Sequence, residues 1–164
     1  MSCEPAEFRA AMRGLASGVS LVTTLDADGN PHGMAATAVM SVSAEPPRIL
    51  VCVNKSASMH APLVASGRYA VSFLCATQAE LVRLFSTPEN RHLRFAGGLW
   101  SSLRTGAPVL DGAVAVLDCD VVEQIDAATH SMFIGAVVAT RAAPEPVSPL
   151  VHCHGGLGAF ATAA

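Results

Sequence analysis

Apolar positions in this chain follow a helical period in only a few places; elsewhere they alternate or run together. Over residues 5–16, Phe8, Ala11, Met12 and Leu15 fall on one side of a helix that Pro5 suits at its first turn and Gly18 ends. Residues 77–85 carry a second helical pattern. Leu81, Leu84 and Phe85 form its apolar side, and Thr77 followed three residues later by Glu80 reads as a capping box. A short helix over Ser58–Ser66 is expected despite Pro62.

The remainder reads as strands and turns. Val19–Leu25 is a strand, and Asp26-Ala27-Asp28-Gly29-Asn30 is a turn whose Asp-Gly pair offers a positive φ. Pro31–Ser43 reads as one extended stretch of small residues, broken by Glu45-Pro46-Pro47. Ile49–Val53 is wholly apolar, so burial on both faces is expected. Tyr69–Leu74 alternates. A Gly-rich loop precedes two long β runs, Ala113–Glu123 and Phe133–Arg141, and Leu150–His154 forms a last short strand. Six or seven strands with two or three flanking helices, joined by hairpin-type turns, predict a mainly β fold, an antiparallel barrel rather than a doubly wound sheet. No repeat or linker divides the chain. Residues 1–164 are read as one domain, with 1–4 and 159–164 as flexible tails.

Composition narrows the picture. Hydrophobic residues reach 51% and charged residues only 14%, which excludes intrinsic disorder and points to a surface partly covered by a second subunit. A net charge of -3, with Lys55 the only lysine, argues against nucleic acid and against a polybasic membrane anchor. No apolar run approaches the ~20 residues of a bilayer span. The first residues lack a signal-peptide pattern, so a cytoplasmic location is expected. The five cysteines form no Cys-x-x-Cys pair, in keeping with reduced thiols.

The common nucleotide motifs are missing: there is no Gly-x-Gly-x-x-Gly after a strand and no phosphate loop ending in Gly-Lys-Ser/Thr. Four other stretches are candidates for chemistry. Residues 33–43 combine small side chains with the hydroxyls of Thr37, Ser41 and Ser43, which suits close approach of a flat ligand to the backbone, or equally an ordinary tightly packed strand. Residues 54–60 follow an apolar strand and precede a helix. There Lys55, Ser56 and Ser58 suit either an anion site or a solvated turn. His130 stands at a strand entrance, as a ligand donor or a surface turn histidine. In an extended strand His152 and His154 would share a face, but no carboxylate completes a zinc set, and no metal is expected.

Together these stretches resemble the short-chain flavin reductases of two-component monooxygenase systems. The resemblance runs from Phe8 to about Gly158. It rests on Phe8-Arg9-x-x-Met12, Val22-Thr23-Thr24, Thr37-Ala38-Val39-x-Ser41-Val42-Ser43, Leu50-Val51-Cys52-Val53-Asn54-Lys55-Ser56-Ala57-Ser58, Arg94-Phe95-Ala96-Gly97 and Thr129-His130-x-x-Phe133-Ile134-Gly135. It implies a split β-barrel, a homodimer, FMN or FAD as flavin, and NADH or NADPH as hydride donor. It also implies a flavin-dependent monooxygenase that receives reduced flavin by diffusion. Carried over, Thr37, Ala38, Ser41, Val42 and Ser43 would line the isoalloxazine and ribityl chain, with Cys52, Val53 and Asn54 flanking them. Ser56 and Ser58 would hold the flavin phosphate with Lys55 nearby, and Phe85 would border it. His130 would face the nicotinamide, and His152 would stand beside the cofactor pocket. The family's C-terminal aromatic and Arg-Gly pair are replaced here by His152-Cys153-His154-Gly155-Gly156. Two alternatives remain: the same barrel with its pocket turned to another reaction, and a non-catalytic flavin-binding dimer.

Overall fold

The computed structural model describes residues 3–97 and 99–161. Residues 1, 2 and 162–164 of the expected tails, and Gly98 of the Gly-rich loop, lie outside that set. The chain runs α1 (Pro5–Met12), β1 (Ser17–Gly18), β2 (Ser20–Leu25), β3 (Pro31–Ala36), β4 (Val39–Ala44), β5 (Pro47–Asn54), α2 (His60–Ser66), β6 (Arg68–Phe73) and α3 (Ala79–Ser86). It continues through β7 (Trp100–Ser102), β8 (Pro108–Leu110), β9 (Ala115–Ala127), β10 (His130–Ala142), β11 (Leu150–Cys153) and β12 (Gly156–Ala159). Short 3-10 segments at Ala76–Gln78 and Pro88–Leu93 flank α3.

Seven strands form one sheet in the order β3-β2-β6-β9-β10-β5-β4, every pairing antiparallel. Its two edges, β3 and β4, are neighbours in sequence and are joined through Thr37-Ala38, yet they do not pair with each other. The result is a split barrel. The expected single extension over Pro31–Ser43 is therefore two edge strands, and the small residues at 35–38 mark the bend between them.

Burial explains the strand patterns. β2 is buried along nearly its whole length because its alternate residues enter different cores. Leu21 joins a cluster with Phe85, Val109 and Leu110, whereas Val22 joins one with Val51, Val53, Tyr69 and Phe133. β6 does the same with Ala70 and Val71. The expectation for β5 is corrected. Ile49, Val51 and Val53 point into the barrel, while Leu50, Cys52 and Asn54 remain half-buried on the outer face. Cross-strand register aligns that outer face as Met40–Leu50–Ile134 and Cys52–Met132–Ile125, two largely apolar rows.

Within the barrel, Tyr69 donates from its hydroxyl to the Ile49 carbonyl at 3.1 Å. Burial raises the Tyr69 phenol far above its usual range and pushes the adjacent Cys119 thiol up to about 12.

Three further expectations change. Helix α1 stops at Met12 and buries none of its residues: Phe8 and Met12 are exposed, as is Leu15 beyond its end. The segment is tied down just past its end, where Arg13 Nη2 donates to the His154 carbonyl and His154 N–H to the Arg13 carbonyl, both at 2.7 Å. The turn before α3 is not capped by Thr77 and Glu80. Gln78 folds back so that its Oε1 accepts from the Cys75 N–H at 3.0 Å. At the C-terminal end, Ala159 belongs to β12 and pairs with Leu150.

Candidate functional site

The site begins at strand β3. Gly33 lacks a side chain where α3 presses closest: a Cβ there would lie 2.9 Å from Phe85 Cε1 and 3.2 Å from Thr23 Cγ2. The close approach is locked by Arg94, whose buried guanidinium donates to the carbonyls of Gly33 (2.8 Å), Leu84 (3.1 Å) and Thr87 (3.2 Å). Phe85 stacks edge-on against Phe95, with ring centroids 5.4 Å apart, and tilts against Trp100 at 5.7 Å. The arginine and the aromatic group thus make a rigid wall.

Two cavities lie against this wall and a third adjoins them. The central one, about 360 Å³, is bounded by Met34, Ala35, Ser56, Ser58, Phe85 and Arg91. It shares Ala35 and Ser86 with a cavity of about 220 Å³ that reaches Thr37 and His152. In the other direction it shares Ser58, Arg91 and Arg94 with a cavity of about 270 Å³ that reaches His32 and His92. The three form one elongated groove along β3. Small side chains (Ala35, Ala36, Thr37, Ser86) line it toward Thr37, and Arg91, Arg94, His32 and His92 gather toward the opposite end.

The polar groups differ in readiness. Asn54 Oδ1 accepts from both the N–H and the hydroxyl of Ser56, each at 2.8 Å, which shapes the 54–58 loop. The Ser58 hydroxyl and the Arg91 guanidinium have no hydrogen-bond or ion-pair partner among the described residues. Burial, and then the charge of Arg91, lower the pKa of Arg94. Two cations without a carboxylate between them create a site that favours an anion. Arg91 is a candidate site residue that the sequence reading missed. It lies in a 3-10 segment with no motif around it, and only the fold carries it to Ser58.

Several expected residues fall elsewhere. Lys55 does not line the groove: its Nζ donates to Asp126 Oδ2 (2.6 Å) and to the Ala128 carbonyl (2.7 Å), and this contact lowers the Asp126 pKa. Helix α2 starts at His60 with Met59 at its N-cap, so Ser58 is not a capping residue. Ser41 and Ser43 line a separate, mostly apolar cavity of about 430 Å³ beside Gly18 and Phe73. Val42 is exposed and Val53 is fully buried in the core. The Ala38 carbonyl accepts from Cys52 N–H at 3.0 Å, which ties the Thr37-Ala38 bend to β5.

His130 opens β10 opposite Asn54, with Nδ1 2.9 Å from Thr129 Oγ1, and lines none of the three cavities. His152 and His154 do not share a strand face, because His154 sits in the β11–β12 turn with φ 51°. Among the described residues, no three His, Cys, Asp or Glu side chains gather to hold a metal. No helix among them is long and apolar enough to cross a membrane.

The fold is thus a split antiparallel barrel with a groove along β3 that passes a hydroxyl and a guanidinium without partners among the described residues. Residues 12–161 match the family model described as flavin reductase like domain, and the chain belongs to that family. It is 44% identical over 134 residues to the FMN reductase (NADH) RutF of Pseudomonas syringae, covering 82% of this chain and 75% of that one. Among solved structures it is similar to BorF, the flavin reductase component of a bacterial two-component tryptophan halogenase. That match has a TM-score of 0.88 and 32% identity, and covers 98% of this chain and 100% of that chain. It is also similar to the NADH:FAD oxidoreductase SgcE6 of Streptomyces globisporus, with a TM-score of 0.88 and 31% identity over 100% of this chain and 94% of that one.

Proposed function

We propose that this chain is an NADH-dependent flavin reductase that takes FMN in the groove along β3 and supplies reduced flavin to a partner monooxygenase. One observation carries the reading. The Ser58 hydroxyl and the Arg91 guanidinium, both without protein partners among the described residues, border the same cavity, and the groove continues from them past the small side chains of Ala35, Ala36 and Thr37. Those donors fit a phosphate, and Ala35, Ala36 and Thr37 leave the backbone accessible to a flat ring. The flavin, when bound, supplies the hydride acceptor and NADH the donor. The chain's own part is to anchor the phosphate, orient the ring and keep space for a second planar group beside it. No side chain is required as general acid or base for that transfer. Thr37 and His152 stand at the ring end, where they orient rather than react.

The working unit in this reading is a homodimer. The rows Met40–Leu50–Ile134 and Cys52–Met132–Ile125 present apolar side chains on the outside of the barrel, and the apolar side of α1 is uncovered. A second copy placed over the rows would bury them at about 25 cal/mol per Å².

The test is anaerobic. The purified chain is mixed with FMN and NADH, and the visible flavin absorbance is followed. Rapid bleaching that needs both protein and NADH is the expected result. FMN that binds but is not bleached assigns the groove to a different reaction.

A further inference from the structure

The cavity of about 430 Å³ beside Ser41 and Ser43 has no part in the proposed function. It is larger than each of the three along β3 and shares no lining residue with them. One apolar side chain from each of five strands walls it: Val39 of β4, Ile49 of β5, Phe73 of β6, Leu117 of β9 and Val137 of β10. It is therefore an open end of the barrel interior. Strand β5 starts at this mouth with Arg48 and reaches the 54–58 loop with Asn54, about 20 Å further on for an extended strand. Among the lining residues only Arg48 is charged, and none is acidic. Strict alternation from Ile49 would turn Arg48 outward. The ladder slips between Ser41 and Ser43, so that Arg48 pairs with Ser43 and borders the cavity. Its Nε is buried without a hydrogen-bond partner. The hydroxyls of Ser41, Ser43 and Thr140 also border the cavity and have no partner among the described residues. A buried donor without an acceptor costs free energy, and an anion entering the mouth would supply the acceptor.

We infer that this barrel mouth is a binding site for a compact apolar monocarboxylate. Arg48 takes the carboxylate, the neighbouring hydroxyls complete its hydrogen bonds, and the five apolar side chains hold the hydrocarbon end. The single guanidinium matches a single negative charge, and the apolar walls disfavour a more polar anion. The site is separate from the groove along β3, so both can be filled at once.

Calorimetry tests this on the full-length chain, with 3-phenylpropionate as the probe and 3-phenylpropionamide as its neutral counterpart, each titrated with and without FMN. The carboxylate is expected to bind at least about tenfold more tightly than the amide, with an affinity that FMN leaves unchanged. Arg48→Met keeps an unbranched side chain and removes the charge, so it is expected to abolish that preference and leave amide binding within about twofold. The comparison of acid with amide needs no variant, and it decides the matter even if Arg48→Met does not fold. Equal affinity for acid and amide, or a preference that survives in Arg48→Met, overturns the inference. Displacement of the probe by FMN also overturns it and places the probe in the groove along β3. No binding of either compound, with Arg48→Met shifting the sedimentation of the chain toward monomer, overturns it and assigns the mouth to contact with a second copy. No binding without such a shift overturns it as well.

Discussion

Arg94 reaches across the groove floor to donate from Nη1 to the Gly33 carbonyl at 2.8 Å, joining the loop after α3 to the middle of β3. It also donates to Leu84 and Thr87, so Arg94→Met leaves three carbonyls short of their charged donor. We expect a loss of about 2–4 kcal/mol, seen as a lower Tm, since hydrogen bonds to charged groups are worth roughly 1.5–3 kcal/mol each and water recovers part of the loss. Gly33→Ala attacks the same seam from the other side. Its Cβ would overlap the buried Phe85 ring, at an expected cost of about 1–3 kcal/mol.

The proposed phosphate anchor is tested by Ser58→Ala and Arg91→Ala. Neither side chain has a partner within the described protein, so Tm is expected to stay within about 2 °C of wild type, in line with surface substitutions of under ~0.5 kcal/mol. FMN affinity is expected to fall about 10-fold or more for Arg91→Ala and less for Ser58→Ala, as for loss of a charged and a neutral donor. Fluorescence titration and thermal melts on the same samples separate the two effects.

Gly135 lies where β9 and β10 slip register, directly beneath Tyr69. A Cβ there would come 2.5 Å from Tyr69 Oη and 2.8 Å from Cys119 Cβ. Gly135→Ala is expected to destabilise by about 3 kcal/mol through overpacking. Adding Tyr69→Phe removes the nearest atom but not the Cys119 contact, so the double variant is expected to recover only part of the loss. Denaturant unfolding of both variants decides the point.

The hairpin turn at Asp26 has a defined acid sensitivity. The His32 side chain first, and then the Asn30 backbone, hold the Asp26 pKa at about 2 against an ordinary 3.8. A carboxylate with a lowered folded pKa stabilises the fold above its unfolded value, and that contribution is lost as pH falls through the folded one. The stability difference between wild type and Asp26→Asn should therefore shrink as pH falls from just above 3.8 to about 2. Urea unfolding across that range measures it.

Much of the barrel was legible in the chain. The alternation of Tyr69–Leu74, the Asp26–Asn30 turn and the two long runs feeding β9 and β10 were sufficient for the architecture. What failed depended on neighbours. The apolar run at Ile49–Val53 does not disclose that Leu50 and Cys52 face outward, because periodicity is silent where both sides of a strand are apolar. The apolar stripe of α1 predicted a buried face, yet a helix at the edge of a single chain finds nothing to bury it. The same holds for the site. Ser56, Ser58 and Phe85, expected from their motif, border one cavity, but Arg91 reaches that cavity only through the packing of β3 and α3. Lys55, the obvious cation beside those serines, is drawn off by Asp126, a residue 71 positions away.

That pairing has a practical side. Lys55 carries the only side-chain amine in the sequence, held 2.6 Å from a carboxylate on the β9–β10 hairpin and three residues before Ser58. An amine-directed fluorophore would report on the 54–58 loop from one defined side-chain position. A zero-length carbodiimide coupling would convert the ion pair into an amide, welding that loop to the hairpin, and so offers a covalent handle on whether the loop must move for the groove to fill.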